Sequence, residues 1–242
     1  HSDNADGSTT FTDASPSGHT VTKVGDPTHE TEQKKFGASS IYFDGDDKLS
    51  LAASSDWIFS GDFTIDFWCN LVTNSGYHHF FTVHNQSTFS LKLHDASNLL
   101  YVFPGNTDIQ CTVDLKGAWN HVALVRSGTG TNNLKIYING VQAVQASAND
   151  TWGNSTYAAY IGSGWTGEFL KGWMDEIRVS HTARWTAAFT PPTRRYGVMS
   201  PEPTGDHLPL SGGDLTGPLS ITGADNTNSK LTLTNTAADN TW

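Results

Sequence analysis

The segment from residue 148 to residue 167 combines side chains that could bind a sugar. An aromatic ring can stack on the apolar face of a pyranose, while amide and carboxylate groups bond to its hydroxyls. Both kinds of side chain occur here among Gly and Ser residues that are typical of a loop. The sequence therefore predicts a carbohydrate-binding surface formed by Asp150, Trp152, Asn154, Tyr157 and Trp165.

The two tryptophans of this segment differ from three others in their sequence context. Trp152 and Trp165 lie among turn residues, whereas Trp68, Trp119 and Trp173 lie in strand-like patterns and are predicted to belong to the core. The alternative for the two loop rings is that they pack onto the edge of the domain and meet no ligand.

A group of hard oxygen donors lies near the N-terminus. The loop from Asp13 to His19 offers a carboxylate, hydroxyl groups and turn carbonyls at close spacing. Because Ca²⁺ takes such ligands from irregular loops, we predict a structural calcium site that uses Asp13 and the carbonyl of His19. The alternative is that Asp13 caps a turn by bonding to the backbone, as turn aspartates commonly do.

Other classes of chemistry and of partner are disfavoured. His78 and His79 are adjacent in a strand-like run, so their rings point to opposite faces and cannot chelate one zinc ion together. The net charge of −10 repels phosphate backbones and anionic membranes, so no nucleic-acid partner is expected. Membrane insertion is not expected either, since the sequence holds no run of about 18 apolar residues.

Short strands are the elements that must position these groups. Alternation between residues 63 and 69 puts four apolar side chains on one face of a strand: Phe63, Ile65, Phe67 and Cys69. Asn139-Gly140 separates two alternating runs, which is the strongest short-range signal for a β-hairpin. Many short strands without a long helix predict an all-β chain, folded as an antiparallel jelly-roll β-sandwich.

The chain divides into three predicted regions. Residues 1–193 form the sandwich, and residues 194–209 are a Pro-rich linker. Residues 210–242 alternate weakly but are too few and too polar to bury a core alone, so we expect them to pair with other copies of themselves. We also expect the chain to be a piece of a longer polypeptide.

Five sequence blocks follow one another along residues 3–192: SIYFDG at 40–45, GDFTIDFW at 61–68, WNHVA at 119–123, IYING at 136–140 and MDEIRVS at 174–180. In this order they resemble the laminin-G-like jelly rolls of the concanavalin A-like lectin and glucanase superfamily. In similar domains the N-terminal loop closes against the strand that here carries Asp175. The resemblance therefore implies that Asp175 completes the calcium site with Asp13 and His19.

The same superfamily includes glycan hydrolases, which use two carboxylates across the scissile bond. The glucanase relatives carry them in a Glu-x-Asp-x-Glu or Glu-x-Asp-x-x-Glu run, and no such run occurs in this sequence. The nearest cluster is Asp175-Glu176 after Glu168, but adjacent strand residues point to opposite faces. The chain is therefore predicted not to be an enzyme, and a residual glycan hydrolase is the disfavoured alternative.

A second resemblance concerns residues 208–219, LPLSGGDLTGPL, which are similar to a short repeat of bacteriophage tail-fibre proteins. Such fibres are usually trimers, so the resemblance implies a homotrimer formed through the C-terminal segment. The expected role is attachment from a virion surface, in a tail or fibre, or otherwise from an extracellular position. The expected partner is a host surface glycan or another virion protein. A spacer that binds no sugar and a bacterial adhesin module are the alternatives.

Overall fold

The computed structural model describes residues 3–74, 76–84, 88–103, 109–164 and 167–196, all within one compact unit. The described residues contain short strands and two 3₁₀ turns, Ser55–Trp57 and Asp95–Ser97. The strands are β1 (Val21–Val24), β2 (Thr28–Glu30), β3 (Ser40–Asp44), β4 (Lys48–Leu51), β5 (Ile58–Phe59), β6 (Phe63–Leu71), β7 (Tyr77–Val83), β8 (Phe89–His94), β9 (Leu99–Phe103), β10 (Gln110–Thr112), β11 (Asn120–Arg126), β12 (Leu134–Ile138), β13 (Val141–Ala146), β14 (Trp152–Gly153), β15 (Ala159–Ile161) and β16 (Lys171–Ser180).

These strands form two large antiparallel sheets. The first sheet has the order β1-β4-β15-β7-β8-β9-β10, and the second has the order β13-β12-β11-β6-β16-β3-β2. A small third sheet pairs β14 with β5. This arrangement confirms the predicted all-β jelly-roll sandwich. In the part of the chain that is described, no helix is long and apolar enough to cross a membrane.

The main core lies between the two large sheets. The rings of Phe67 and Phe80 stack across it, with their centroids 4.7 Å apart. Burial of a side chain of this size contributes about 2 kcal/mol to stability. The inward face of β6 supplies five of the buried side chains: Phe63, Ile65, Phe67, Cys69 and Leu71.

The opposite face of β6 is buried as well, although alternation would leave it in contact with water. Its side chains are Thr64, Asp66, Trp68 and Asn70. Residues after β16 cover part of this face: the hydroxyl of Thr64 donates to the carbonyl of Thr182 at 2.7 Å and accepts from the N–H of Arg184 at 3.0 Å. The second sheet therefore has a buried layer on its outer side.

An apolar cluster extends this outer layer over β11 and β12. Ala123, Val125 and Tyr137 are buried there against Trp185 and Phe189. The rings of Trp185 and Phe189 are stacked, 4.0 Å apart and nearly parallel. The chain after β16 thus packs flat on the second sheet.

The buried carboxylate of Asp66 holds this covering segment in place. It accepts hydrogen bonds from Arg178 at 2.9 and 3.0 Å, and it also accepts from the hydroxyl of Tyr196. Burial would raise the pKa of Asp66, but the hydrogen bonds from His121 and Arg178 lower it below its ordinary value. Tyr196 lies within the predicted linker, and residues 197–209 of that linker and the predicted fibre-like segment lie outside the described residues.

The hairpin predicted at Asn139-Gly140 joins β12 to β13. Both turn residues have positive φ, 51° and 79°. The glycine is required for a second reason, because a Cβ at Gly140 would lie 1.8 Å from the carbonyl oxygen of Phe189. The turn is therefore also one of the places where residues after β16 meet the sandwich.

Candidate functional site

A groove of about 490 Å³ lies on the outer side of the second sheet. Trp68 and Trp119 form its floor, since both belong to the strands of that sheet or directly precede them. Lys35 and Phe36 form its first wall. The second wall consists of Asn139 and residues 190–193.

Alternation along β6 brings Trp68 to the floor. Phe63, Phe67 and Cys69 enter the core, so Trp68 must point outward. Phe36 meets its ring edge-on at 5.7 Å and covers part of it, which leaves Trp68 only 6% exposed. Within the described part of the chain, the indole N–H of Trp68 has no hydrogen-bond partner.

Lys35 brings a positive charge to the first wall. Its Nζ lies 3.9 Å from the centroid of the Trp68 ring and 5.6 Å from that of Phe36. Such cation–π contacts stabilise an ammonium group that has lost part of its water. Burial accordingly lowers the pKa of the Lys35 side chain.

Asp175 anchors the first wall. It lies on β16 directly opposite Trp68 and is 1% exposed. Its carboxylate accepts the backbone N–H groups of Lys35 at 3.2 Å and of Phe36 at 3.0 Å, and also that of Glu176 at 2.9 Å. Burial raises the pKa of Asp175 to about 7 despite these hydrogen bonds.

Asn139 fixes the second wall through its position in the β12–β13 turn. Its side-chain oxygen accepts the N–H of His121 at 2.9 Å, and its amide donates to the side-chain oxygen of Asn120 at 2.9 Å. The next residue, Gly140, accepts the N–H of Phe189 at 3.0 Å and so holds residues 190–193 beside the turn. Asn139 itself is exposed, and its described contacts use one of its two amide hydrogens.

The prediction that Trp152 presents its ring to a sugar is wrong. Trp152 pairs with Phe59 in the small third sheet and is only 4% exposed. The centroid of its ring lies 6.2 Å from that of Phe63 and 6.0 Å from that of Phe89. The guanidinium carbon of Arg126 lies 5.6 Å from the same centroid. A ring enclosed in this way belongs to the core and cannot stack on a ligand.

The polar residues predicted around Trp152 have local roles. Asp150 is exposed, but the contact that fixes its position is its carbonyl, which accepts from Arg126 at 2.7 Å. The side-chain oxygen of Asn154 accepts the N–H and the hydroxyl of Thr156 at 2.8 and 2.7 Å, which closes a turn. These contacts give Asp150 and Asn154 roles within the protein and do not direct the two side chains toward one ligand.

Among residues 148–164, which the structure describes, Tyr157 is the exposed aromatic residue. It is 38% exposed, and its ring stacks on that of His84 at 3.7 Å with an angle of 13°. One face of the tyrosine is therefore already covered. Trp165, the other predicted sugar-binding ring, lies outside the described residues.

The predicted calcium ligands are engaged by different parts of the backbone. Asp13 accepts the N–H and hydroxyl of Ser15 and the N–H of His19, each at 2.8 Å. Burial would raise the pKa of Asp13, but these hydrogen bonds lower it. Asp13 therefore caps a turn, while Asp175 anchors the first wall, and the two carboxylates share no hydrogen-bond partner. These contacts give each carboxylate a role without a metal ion, and the calcium site of Asp13, His19 and Asp175 stays a prediction.

The structure brings four other carboxylates together near the turn between β3 and β4. The ligand oxygens of Asp26, Asp44, Asp46 and Asp47 are all within 4.8 Å of one another. Asp47 is buried and accepts the N–H groups of Asp26 at 2.7 Å and Asp44 at 3.2 Å. Burial raises the pKa of Asp47 to about 6. These hydrogen bonds serve the turn, and the other three residues are exposed.

Three polar side chains on or beside the first sheet, Ser90, His79 and Glu168, are arranged like the hydroxyl nucleophile, histidine base and carboxylate of a catalytic triad. His79 Nδ1 lies 2.9 Å from the hydroxyl of Ser90, and its Nε2 lies 2.9 Å from the carboxylate of Glu168. Ser90 is fully buried, so its hydroxyl cannot reach a substrate. Burial lowers the pKa of His79 to about 4, which keeps the ring neutral. This arrangement supports the sheet and offers no route to catalysis.

Sequence reasoning missed the residues that form the groove. Both Trp68 and Trp119 are predicted to belong to the core because they lie in strand-like patterns. Trp68 is indeed buried, but on the outer side of the second sheet, and Trp119 is only half-buried. The alternation that sends Phe63 and Cys69 inward already requires Trp68 to face outward, and that signal identifies it. The walls have no comparable signal, because they depend on contacts between distant parts of the chain.

Comparisons with known proteins agree with this fold. Domain 4 of AbnA, an extracellular GH43 arabinanase from Geobacillus stearothermophilus solved with arabinotriose, has a TM-score of 0.51 and 18% identity, covering 69% of this chain and 83% of that one. The binding domain of botulinum neurotoxin DC in complex with SialylT has a TM-score of 0.53 and 16% identity, covering 72% of this chain. This match spans 46% of the neurotoxin chain. At such identities the likeness concerns the fold alone.

A comparison with curated proteins found no match. The laminin G family model described as "Concanavalin A-like lectin/glucanases superfamily" matches residues 43–188. That stretch is more than half of the 242 residues. The chain therefore belongs to this laminin-G-like family of the concanavalin A-like lectin/glucanases superfamily.

Proposed function

We propose that the chain is a non-enzymatic carbohydrate-binding module and that the groove is its binding site. The observation that carries this proposal is the meeting of two tryptophans, an exposed amide and an ammonium group in one open groove. Its volume of about 490 Å³ is within the range of small-molecule sites, about 300–1,000 Å³. Aromatic rings with a few fixed polar groups are what sugar recognition requires.

Each part of the groove has a distinct role in this proposal. Trp119 is half-buried and would stack on the apolar face of a pyranose, while the buried Trp68 forms the other part of the floor. The remaining amide hydrogen of Asn139 would donate to a sugar hydroxyl. Because its side chain is already held by His121 and Asn120, it loses little entropy when a ligand binds.

The structural relatives support a carbohydrate ligand without identifying it. Domain 4 of AbnA was solved with arabinotriose, and the neurotoxin binding domain was solved with SialylT. Both are similar to this chain in fold. They are evidence that a sandwich of this kind can serve as a sugar-binding domain.

Substitution of Trp119 tests the location of the site. We expect Trp119→Ala to weaken glycan binding about tenfold or more, as loss of a stacked aromatic residue commonly does. Binding is first detected on a glycan array and then measured by titration calorimetry. Trp119→Phe should keep most of the affinity, and the melting temperatures of both variants show that they are folded.

Tyr157→Ala is the matched control, because Tyr157 is an exposed ring outside the groove. It should bind as the wild type does. If Tyr157→Ala loses binding and Trp119→Ala keeps it, the site lies in the loop first predicted from the sequence. If the wild type binds no glycan at all, the chain is a spacer and the proposal is wrong.

We further propose that the module serves attachment from a virion tail or fibre, with an extracellular adhesin as the alternative. Support comes from the sequence of residues 208–219, which lies outside the described residues. Pairing of three copies through residues 210–242 would raise avidity through effective concentration. Mass in solution tests this: three times the 26.2 kDa chain mass is expected, falling to one copy when residues 210–242 are removed.

A further inference from the structure

The described residues that line the groove carry a positive charge and no negative one. Among the described residues that line it, Lys35 is the one ionisable side chain, and its companions are aromatic, amide, hydroxyl and proline groups. The chain as a whole carries a net charge of −10. A single positive charge in an aromatic groove of an acidic protein requires an explanation.

Lys35 is half-buried, and among the described residues its ammonium group forms no ion pair: the nearby carboxylate of Asp175 accepts the backbone N–H of Lys35 instead. Its described contacts are with the rings of Trp68 and Phe36, and burial is the cause that lowers its pKa. A carboxylate paired with the ammonium group would raise that pKa instead. Because a partly desolvated charge is costly unless it is paired, the ammonium group is suited to an anion supplied by a ligand.

Two other lysines show the contrast. Lys116 Nζ lies 3.3 Å from a carboxylate oxygen of Asp95 and 3.4 Å from one of Asp114. Lys48 Nζ lies over the ring of Tyr160 at 4.5 Å, but outside the groove. Lys35 alone among these three combines contact with an aromatic ring and a position on the wall of the groove.

We infer that the groove binds an acidic glycan, one whose carboxylate or sulfate group pairs with the ammonium of Lys35 while a neighbouring ring stacks on Trp119. This inference rests on the proposed function, since it specifies the sugar that the same groove takes. General attraction cannot bring such a ligand to a protein of this net charge. Recognition therefore depends on the local contact with Lys35.

The test uses glycan pairs that differ only in the acidic group: sialylated and asialo forms, uronic acids and their methyl esters, sulfated and unsulfated forms. The wild-type chain should bind the acidic member of a pair about tenfold more tightly, the value of one charge-assisted hydrogen bond. The first two kinds of pair report a carboxylate and the third reports a sulfate. Binding of the acidic member should weaken in 0.5 M salt, a high salt concentration at which the Debye length falls to only a few ångströms.

Lys35→Met removes the charge while keeping an unbranched apolar side chain against Trp68. This variant should bind both members of a pair with equal affinity, and the salt dependence should disappear. Lys35→Arg should keep the preference. Lys48→Met is the control, because it removes a lysine that also contacts a ring but lies outside the groove.

Equal affinity of the wild type for acidic and neutral members would overturn the inference and leave the carbohydrate-binding proposal standing. A preference that persists in Lys35→Met would overturn it as well, because another residue would then recognise the acidic group of the glycan. Failure to bind any member of any pair would instead contradict the proposed function, and the inference with it.

Discussion

The carboxylate of Asp175 accepts the backbone N–H of Phe36 at 3.0 Å, joining two positions that are 139 residues apart. The same carboxylate accepts the N–H of Lys35, and Asp175 is paired in register with Trp68 on the neighbouring strand. One buried side chain thus connects the first wall of the groove to its floor. The shape of the site depends on this long-range contact.

Asp175→Ala should therefore destabilise the domain and open the groove. The backbone N–H groups of Lys35, Phe36 and Glu176 would lose their acceptor, and an unsatisfied buried group costs about 1–3 kcal/mol. We expect the free energy of unfolding in urea to fall by about 3 kcal/mol. Asp175→Asn, which keeps an acceptor oxygen, should lose less. Equal stability of Asp175→Ala and wild type would contradict the anchoring role.

The pH dependence of stability offers a separate test of the same residue. Burial raises the pKa of Asp175 from 3.8 to about 7, so the folded state binds a proton more tightly than the unfolded state between these values. Its contribution to stability is complete below pH 3.8 and is lost as the pH rises through about 7. We expect the melting temperature of Asp175→Asn to fall less than that of wild type between pH 4 and pH 8. Parallel curves would contradict the raised pKa.

Trp152→Ala should act on stability and not on binding. The ring of Trp152 is enclosed by Phe63 and Phe89, and removal of a buried Trp typically costs about 3–5 kcal/mol. Unfolding in denaturant gives the loss of stability, and titration at low temperature gives the glycan affinity of the folded fraction. Normal stability with loss of binding would reinstate the loop surface as the site.

Gly140→Ala should disturb the second wall. A methyl group would lie 1.8 Å from the carbonyl oxygen of Phe189, and φ at this position is +79°. The clash forces residues 189–192 away from the β12–β13 turn, because the atom that is met belongs to the backbone and not to a flexible side chain. The positive φ adds strain within the turn, since alanine rarely adopts it. We expect a fall in melting temperature of several degrees together with weaker glycan binding. Gly61→Ala is the control, because a Cβ there meets nothing within 4 Å.

The sequence predicts the parts of this molecule that depend on local periodicity. Alternation from Phe63 to Cys69 and the Asn139-Gly140 turn identify a strand and a hairpin, because pleat and turn conformation are properties of neighbouring residues. Those patterns, with the laminin-G-like blocks, lead to the sandwich.

The site is harder to predict because it depends on contacts between distant residues. Trp152 lies among turn residues but pairs with Phe59 in a strand of two residues, which local composition does not reveal. Trp68 lies in a strand pattern, yet it faces outward under a segment more than 30 residues upstream. For Asp175 the resemblance implies calcium binding, and only the fold shows that its carboxylate accepts the backbone N–H groups of Lys35 and Phe36.

Nuclear magnetic resonance of the indole N–H groups tests the central claim most directly. The chain has eight tryptophans, whose indole signals can be assigned by single Trp→Phe variants and followed while a glycan from the array is added. The signals of Trp68 and Trp119 should shift with the ligand. Those of Trp57 and Trp152, which are 3% and 4% exposed and belong to the main core, should stay in place. Shifts confined to Trp165, with Trp68 and Trp119 unmoved, would contradict the assignment of the groove as the sugar-binding site.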